Sequence, residues 1–145
     1  MSSLAYPAVF SRGKGRRWLV TFVDLPRVST DGKTESEAFF EAIDALGSDL
    51  SIRISQKEGI PAPSRLRKGQ RKVPVPLWIA PKVALYLTMR QLRVDNSELT
   101  RRLRCRETAV RRLLNPTHKT RAENLQRALA ALGRQMVVKT EAVAS

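Results

Sequence analysis

The stretch that decides the fold of the second half of this chain reads SELTRRLRCRETAVRRLLN, residues 97–115. Six of its nineteen residues are arginines, yet apolar side chains recur between them at the spacing of helical segments. These apolar residues are Leu99, Leu103, Cys105, Val110, Leu113 and Leu114. The pattern predicts two short helices that share an apolar core and leave the arginines on the outside.

The ends of both helices are marked by capping and breaking residues. DNSE at residues 95–98 is an N-terminal capping pattern for a helix that runs to about Leu103. Residues 104–106 then form a tight turn, and a further helix covers residues 107–114. It stops at Asn115-Pro116, because the residue before a proline disfavours helical geometry. Two short helices joined by such a turn predict a helix-turn-helix.

Further helices are predicted on both sides of this motif. LWIAPKVALYLTMRQLR, residues 77–93, is apolar around most of its circumference, and Pro81 must fall in its first turn. TRAE at residues 120–123 predicts a capping box for another helix, which Gly133 can close in a left-handed conformation. RQMVVKT, residues 134–140, is typical of a short strand.

The distribution of charge gives a reason for the arginines. The chain has 145 residues, a formal net charge of +14 and a pI near 11.2. Residues 71–145 contain 16 Lys or Arg against 5 Asp or Glu, whereas residues 1–70 contain 11 against 8. Because the excess lies in the helical half, an acidic partner such as nucleic acid is indicated for that half.

Cysteine and histidine counts restrict the chemistry that the chain can carry. Cys105 is the one cysteine and His118 the one histidine, which excludes an intrachain disulfide and a multi-cysteine zinc site. We therefore expect no metal and no cofactor.

No run approaches the roughly eighteen apolar residues that span a bilayer, and MSSLAYPAVF has no charged n-region. The chain is expected to be soluble and cytoplasmic, with no membrane partner.

The first half predicts a small β-sheet. AYPAVF at residues 5–10 and WLVTFV at residues 18–23 are short β-rich runs, and the two glycines of SRGKGRR between them favour a hairpin. In the second run Trp18, Val20 and Phe22 share one face. A third short strand is predicted over residues 28–30, after the DLP interruption.

One helix completes the first half. TESE at residues 34–37 predicts a capping box, and the helix runs to about Ile54. Its buried face is Phe39, Ala42, Ile43, Leu46 and Leu50. Another face carries an acidic stripe of Glu37, Glu41 and Asp44, continued by Ser48. A solvated surface is the simplest interpretation of this stripe, and docking of a partner is the alternative.

These signals divide the chain into two domains of the α+β class. Residues 1–57 form a small β-sheet with one helix, and residues 77–145 form an all-α helix-turn-helix domain with a C-terminal strand. Residues 58–76, with four prolines and two glycines, form a linker. Residues 72–75 of this linker can add a last edge strand to the sheet.

The exposed side of the second motif helix is the expected DNA-reading surface. In the usual docking, the N-terminal residues of this helix face base edges in the major groove. The residues placed there are Arg106, Glu107, Thr108 and Arg111. Arginine can bridge guanine, glutamate can accept from cytosine and threonine can contact a thymine methyl group. Residues placed for phosphate contacts are Arg101, Arg102, Arg112, His118, Lys119 and Arg121.

Both halves of the chain resemble the HicB antitoxin family. The segments YPAVF, WLVTFVDLP and TDGKTESEAFFEAIDAL resemble the family's N-terminal domain. The segments IPAP and VPVP resemble the connector of its longer members. The Cro/C1-type helix-turn-helix half of those members is similar to SELTRRLRCRETAVRRLLNPTHKT and LQRALAALGRQMVV. The resemblance covers nearly the whole chain, with the segments in the same order.

The resemblance implies a type II antitoxin that is not an enzyme. Members neutralise HicA, a small mRNA-cleaving toxin with a double-stranded-RNA-binding-like fold, and repress their own operon by binding operator DNA. Their N-terminal domain is a partial ribonuclease-H-like fold without nuclease activity, and homo-oligomers, either dimers or tetramers, are usual. Glu37, Glu41 and Asp44 then become the candidate toxin-binding surface.

The chain departs from the family's pattern in its basic residues. SRGKGRR at residues 11–17 is basic where members commonly carry acidic residues and glycines, so this hairpin would repel a basic toxin. Arg27 follows the proline of DLP, where glycine is frequent. Arg104 and Arg106 replace a turn glycine and a capping serine. A left-handed backbone at Arg104 would cost about 1 kcal/mol relative to glycine.

Two other functions remain open from the sequence. The chain can be a stand-alone helix-turn-helix transcriptional regulator whose diverged N-terminal domain binds another partner or ligand. It can also be a ribonuclease, for which acidic side chains must converge on metals roughly 4 Å apart. The candidates are Asp24, Asp31, Glu41 and Asp44, and their predicted positions in the chain do not converge.

Overall fold

A computed structural model of the chain describes residues 4–143. These residues form one four-stranded antiparallel sheet and five α-helices, which is the α+β architecture predicted from the sequence. The strands are β1 (Ala5–Arg12), β2 (Trp18–Phe22), β3 (Ser29–Gly32) and β4 (Arg71–Pro74). The helices are α1 (Glu35–Ser55), α2 (Ala80–Leu92), α3 (Asn96–Leu103), α4 (Glu107–Leu114) and α5 (Ala122–Ala131).

The sheet has the order β3-β2-β1-β4. β1 and β2 form the predicted hairpin through a single turn of 3₁₀ helix at Lys14–Arg16. Val20 and Phe22 are buried on its inner face, whereas Leu19 lies on the exposed outer face. β4 pairs with the start of β1, so the edge strand predicted within the linker is formed one residue earlier than expected.

α1 packs across the inner face of the sheet. Its N-terminus is capped as predicted, because Thr34 Oγ1 accepts a hydrogen bond from the Glu37 amide at 3.0 Å. The Glu37 carboxylate reaches one residue further back than expected and accepts from the Lys33 amide at 3.2 Å. A Cβ on Gly32 would lie 2.5 Å from the Ala38 nitrogen, so only glycine allows this close approach of β3 to α1.

α2 belongs to two hydrophobic cores at once. Ile79, at its start, and Val83 pack into the core between α1 and the sheet. Leu85 and Met89 instead pack into a second core with α3, α4 and α5. The sequence of α2 is apolar around most of the helix because different sides of the helix are buried in different cores. α2 therefore contributes side chains to both cores.

The linker is held in place by side-chain hydrogen bonds to its backbone. Tyr6 Oη donates to the Pro61 carbonyl at 2.7 Å, and Tyr86 Oη donates to the Glu58 carbonyl at 2.6 Å. Burial raises the pKa of the Tyr6 phenol to about 12, so this group remains a donor at neutral pH. Asp24 accepts from the Ser64 amide at 2.8 Å. The segment is thus an ordered strap along the first core.

Two sequence predictions near the C-terminus are wrong. The capping box of Thr120 and Glu123 does not form, because the Thr120 hydroxyl donates to the Arg112 carbonyl at 3.3 Å instead of capping α5. The N-cap residue of α5 is Arg121, whose side chain makes no capping hydrogen bond. Residues 134–140 form no strand, since this segment pairs with neither edge of the sheet. Gly133 does take the predicted left-handed conformation, with φ of 77°.

Candidate nucleic-acid interface

α3, the turn at residues 104–106 and α4 form a compact unit, here called the α3–α4 unit. Its regularly spaced apolar residues pack as predicted, with Leu99 and Val110 fully buried and Leu113 nearly fully buried. The Asp95 side chain caps α3 by accepting from the Glu98 amide at 2.8 Å. Arg104 closes α3 in the left-handed region at φ of 51°. The packing leaves the charged side chains of both helices outside.

The four residues predicted to read bases lie together on the exposed face of α4. Arg106 is the N-cap residue, and its side chain makes no capping hydrogen bond. Glu107 and Arg111 are one helical turn apart, and Arg111 Nη2 lies 3.0 Å from Glu107 Oε1. Thr108 is exposed beside them. A guanidinium, a carboxylate and a hydroxyl group are thus all accessible on the exposed side of α4, and each is a group that can contact base edges.

A groove of about 420 Å³ brings together four of the six predicted phosphate contacts. It runs between the end of α4 and the start of α5, and its floor includes Leu103, Cys105 and Leu113. The predicted residues at its rim are Arg112, His118, Lys119 and Arg121. Arg127 also lines it; this residue was missed in the sequence because it lies on a helix outside the motif. The groove gathers cationic groups around an apolar floor.

Arg101 and Arg102 lie apart from this groove, on α3. Both guanidinium groups pair with the Glu98 carboxylate, Arg102 Nε at 3.0 Å from Oε1 and Arg101 through Oε2. These two hydrogen bonds lower the pKa of Glu98, so its carboxylate is ionised throughout the neutral range. Glu98 therefore competes with any phosphate for the two arginines.

Glu98→Gln is expected to tighten duplex binding about two- to five-fold at low salt, because it releases Arg101 and Arg102 from two exposed ion pairs that compete with phosphate. Fluorescence anisotropy titration of one duplex at two salt concentrations measures the change. Glu41→Gln removes the same charge from α1 and serves as the matched control. Equal effects of the two substitutions would mean that net charge, and not release of Arg101 and Arg102, is responsible.

Lys82 fixes the end of α4 from inside the protein. The residue is 3% exposed, and Nζ donates to the backbone carbonyls of Arg112 at 3.2 Å and His118 at 2.6 Å. It also donates to the carbonyl of Asn115. Burial lowers the pKa of Lys82, while the carbonyls at the helix C-terminus favour a cation. In the sequence, the signal of this role is a single lysine within the apolar run IAPKVALYL, residues 79–87.

The acidic residues of the first domain do not form a metal site. The Asp24 carboxylate accepts a hydrogen bond from the Ser64 amide. Asp31 lies 2.9 Å from Arg17 Nε, and this ion pair lowers the pKa of Asp31. Glu41 and Asp44 are exposed on α1, as is Glu37. Among residues 4–143, no group of three or more His, Cys, Asp or Glu side chains is placed to hold a metal ion. The converging carboxylates that two-metal catalysis needs are not found in this part of the chain.

No helix within residues 4–143 has both the length and the apolar character needed to cross a bilayer.

Comparison with known proteins gives consistent matches. Residues 5–84 match the family described as HicB_like antitoxin of bacterial toxin-antitoxin system. Antitoxin HicB 2 of Photorhabdus laumondii subsp. laumondii is 37% identical over 134 residues, which cover 92% of this chain and 94% of that protein. Antitoxin HicB of Escherichia coli K12 is 33% identical over 133 residues, covering 92% and 96%. Antitoxin HicB of Pseudomonas fluorescens is 33% identical over 129 residues, covering 88% of each.

Proposed function

This chain belongs to the HicB-like antitoxins of bacterial toxin–antitoxin systems, and we propose that it neutralises a HicA-type mRNA-cleaving toxin and represses its own operon. The observation that carries the DNA half of this proposal is the exposed cluster on α4 described above. It stands on a packed α3–α4 unit, and it lies in the half of the chain with a net charge of +11, from 16 basic and 5 acidic residues.

The DNA-binding role divides the cationic residues into two groups. Arg106, Glu107, Thr108 and Arg111 read base edges, since the N-terminal part of the second motif helix enters the major groove. Arg101, Arg102 and the basic rim of the groove contact phosphates, which supply affinity and register without sequence choice. Salt is expected to weaken binding steeply through counterion release.

The antitoxin role needs no catalysis by this chain. The first domain offers a surface for a protein partner, and the candidate contacts are Glu37, Glu41 and Asp44. A homo-oligomer, either a dimer or a tetramer, would present two α3–α4 units to the two halves of an inverted-repeat operator.

Co-expression with the neighbouring gene tests the proposed neutralisation of a toxin. We expect a protein of sixty to ninety residues to be encoded beside this chain, to arrest growth when expressed alone and to be neutralised by co-expression. A neighbour that has no effect on growth would instead favour a stand-alone helix-turn-helix regulator. Gel-shift titration with the duplex upstream of the gene tests the DNA half independently.

Truncation is expected to separate the two activities only if α2 is kept. A fragment of residues 1–71 loses most of β4, and with it the buried residues Val73, Ile79 and Val83 of the first core, so it should show no cooperative melt. A fragment of residues 1–93 keeps them and should still co-purify with the toxin while losing DNA binding. Circular dichroism melts, co-purification and gel shifts measure these outcomes. DNA binding by the 1–93 fragment would contradict the assignment of that activity to α3–α5.

A further inference from the structure

Three large apolar side chains, one on α1 and two just before α2, are each more than half exposed within residues 4–143. Phe40 is 60% exposed, Leu77 77% and Trp78 54%. Single exposed apolar residues are ordinary, but aromatic residues gathered on one surface mark an interaction site. The three residues are called here the aromatic patch.

The geometry of α1 places Phe40 and Trp78 on one line. A Cβ on Gly47 would lie 2.4 Å from Pro76 Cγ and 2.8 Å from Trp78 Cζ2, so Pro76 and one edge of the Trp78 indole pack against Gly47. Phe40 and Gly47 are seven residues apart, which puts them on the same face of the helix and about 10 Å apart along its axis. Leu77 precedes Trp78 in the chain and is also exposed.

The acidic stripe runs directly beside this line. At 3.6 residues per turn, Asp44, Glu37 and Glu41 lie about 40°, 60° and 100° around the helix from Phe40, all on the same side. Glu41 and Asp44 have no ion-pair partner among residues 4–143. Two aromatic anchors are thus bordered by carboxylates that are free to meet cations.

The anchors are held in position before any partner arrives. Phe40 packs edge-to-face on Phe39 at a centroid distance of 5.5 Å, and the guanidinium carbon of Arg71 lies 4.2 Å from the Phe39 ring centroid. Trp78 is seated on the Gly47 backbone. Such preorganisation reduces the entropy that binding would otherwise cost.

We propose that the aromatic patch and the adjoining acidic stripe dock a basic protein, the toxin, which binds with an apolar contact ringed by lysine or arginine. This inference rests on the proposed function. A protein that binds mRNA must itself carry cations for phosphate, and the carboxylates beside Phe40 complement them. The basic hairpin at residues 11–17 would repel the same partner. Nucleic acid is disfavoured by the stripe, and a two-fold contact with a second copy would set two acidic stripes against each other.

The test uses the full-length chain and the purified protein encoded beside its gene, with affinity measured by biolayer interferometry. Phe40→Ala and Trp78→Ala are each expected to weaken the complex at least tenfold, as for aromatic hot spots. Replacing Glu41 and Asp44 together by lysine should slow association several-fold, with the effect shrinking as salt rises. Leu19→Ala, on the exposed outer face of the sheet, is the matched apolar control and should change affinity by less than twofold.

Each variant is also measured for its melting temperature and for its affinity toward the upstream duplex. Phe40→Ala should leave both near wild type because Phe40 is 60% exposed, and a variant that still melts cooperatively shows that its lost toxin affinity does not come from unfolding. Full toxin affinity in the Phe40 and Trp78 variants, or loss of affinity in Leu19→Ala, would overturn the docking site while leaving the proposed function intact. A wild-type chain that binds no neighbouring protein would overturn the proposed toxin partner and this inference together.

Discussion

Arg111→Ala is expected to weaken binding to the operator about 5- to 150-fold while leaving the fold intact. One bidentate contact between arginine and guanine discriminates by roughly 1–3 kcal/mol. The Arg111 side chain is 66% exposed and forms an exposed ion pair with Glu107, one turn away, so the melting temperature should fall by only about 1–2 °C. Gel-shift titration and a thermal melt of the same preparation measure both effects.

Arg27→Ala is the matched control for this substitution. Arg27 is 67% exposed and pairs with Glu58 at 3.3 Å, so its removal costs the same charge and one exposed ion pair, but in the first domain. Its effect on operator affinity should stay within about twofold. If Arg111→Ala lowered stability as much as it lowered affinity, the residue would have a structural role and not a DNA-reading one.

Lys82→Met is expected to lower the free energy of unfolding by roughly 2–4 kcal/mol and the melting temperature by about 5–15 °C. Methionine fills similar space but cannot donate to the carbonyls of Arg112, Asn115 and His118. The end of α4 and the following loop lose their anchor, so operator affinity at 20 °C should fall even while the chain is folded. Calorimetry and anisotropy titration measure the two losses.

Two comparisons make the Lys82 result specific. Lys72→Met replaces an exposed lysine on β4 and should leave both quantities unchanged. Lys82→Gln keeps one donor amide and should recover part of the stability. Wild-type melting and wild-type operator affinity in Lys82→Met would show that the ammonium group does not hold α4.

The local features of this chain could be predicted well from its sequence. The limits of α3 and α4 follow from Asp95 as a cap, from the turn at Arg104 and from the break at Asn115-Pro116, all of which act within a few residues. The alternation of β2 and the cap at Thr34 are equally local. Caps, turns and helix breaks depend on residues within about one helical turn, so they can be predicted without the tertiary structure.

The remaining features depend on contacts between distant parts of the chain. Lys82 meets its acceptors 30 to 36 residues away, so nothing in its own helix reveals them. The Thr120 hydroxyl was predicted to cap α5 but bonds to the end of α4, because folding brings a competing carbonyl within reach. The aromatic patch likewise needs Trp78 to pack against Gly47, thirty-one positions earlier.

The most direct test of the account compares the affinity of the full-length chain for the duplex immediately upstream of its gene with that for a scrambled duplex, between 50 and 200 mM salt. A repressor of its own operon should prefer the upstream duplex by roughly 10³-fold or more at physiological salt. The logarithm of the binding constant should fall linearly with the logarithm of the salt concentration, with a slope of several units. Equal affinity for both duplexes, or binding that salt does not weaken, would contradict the account.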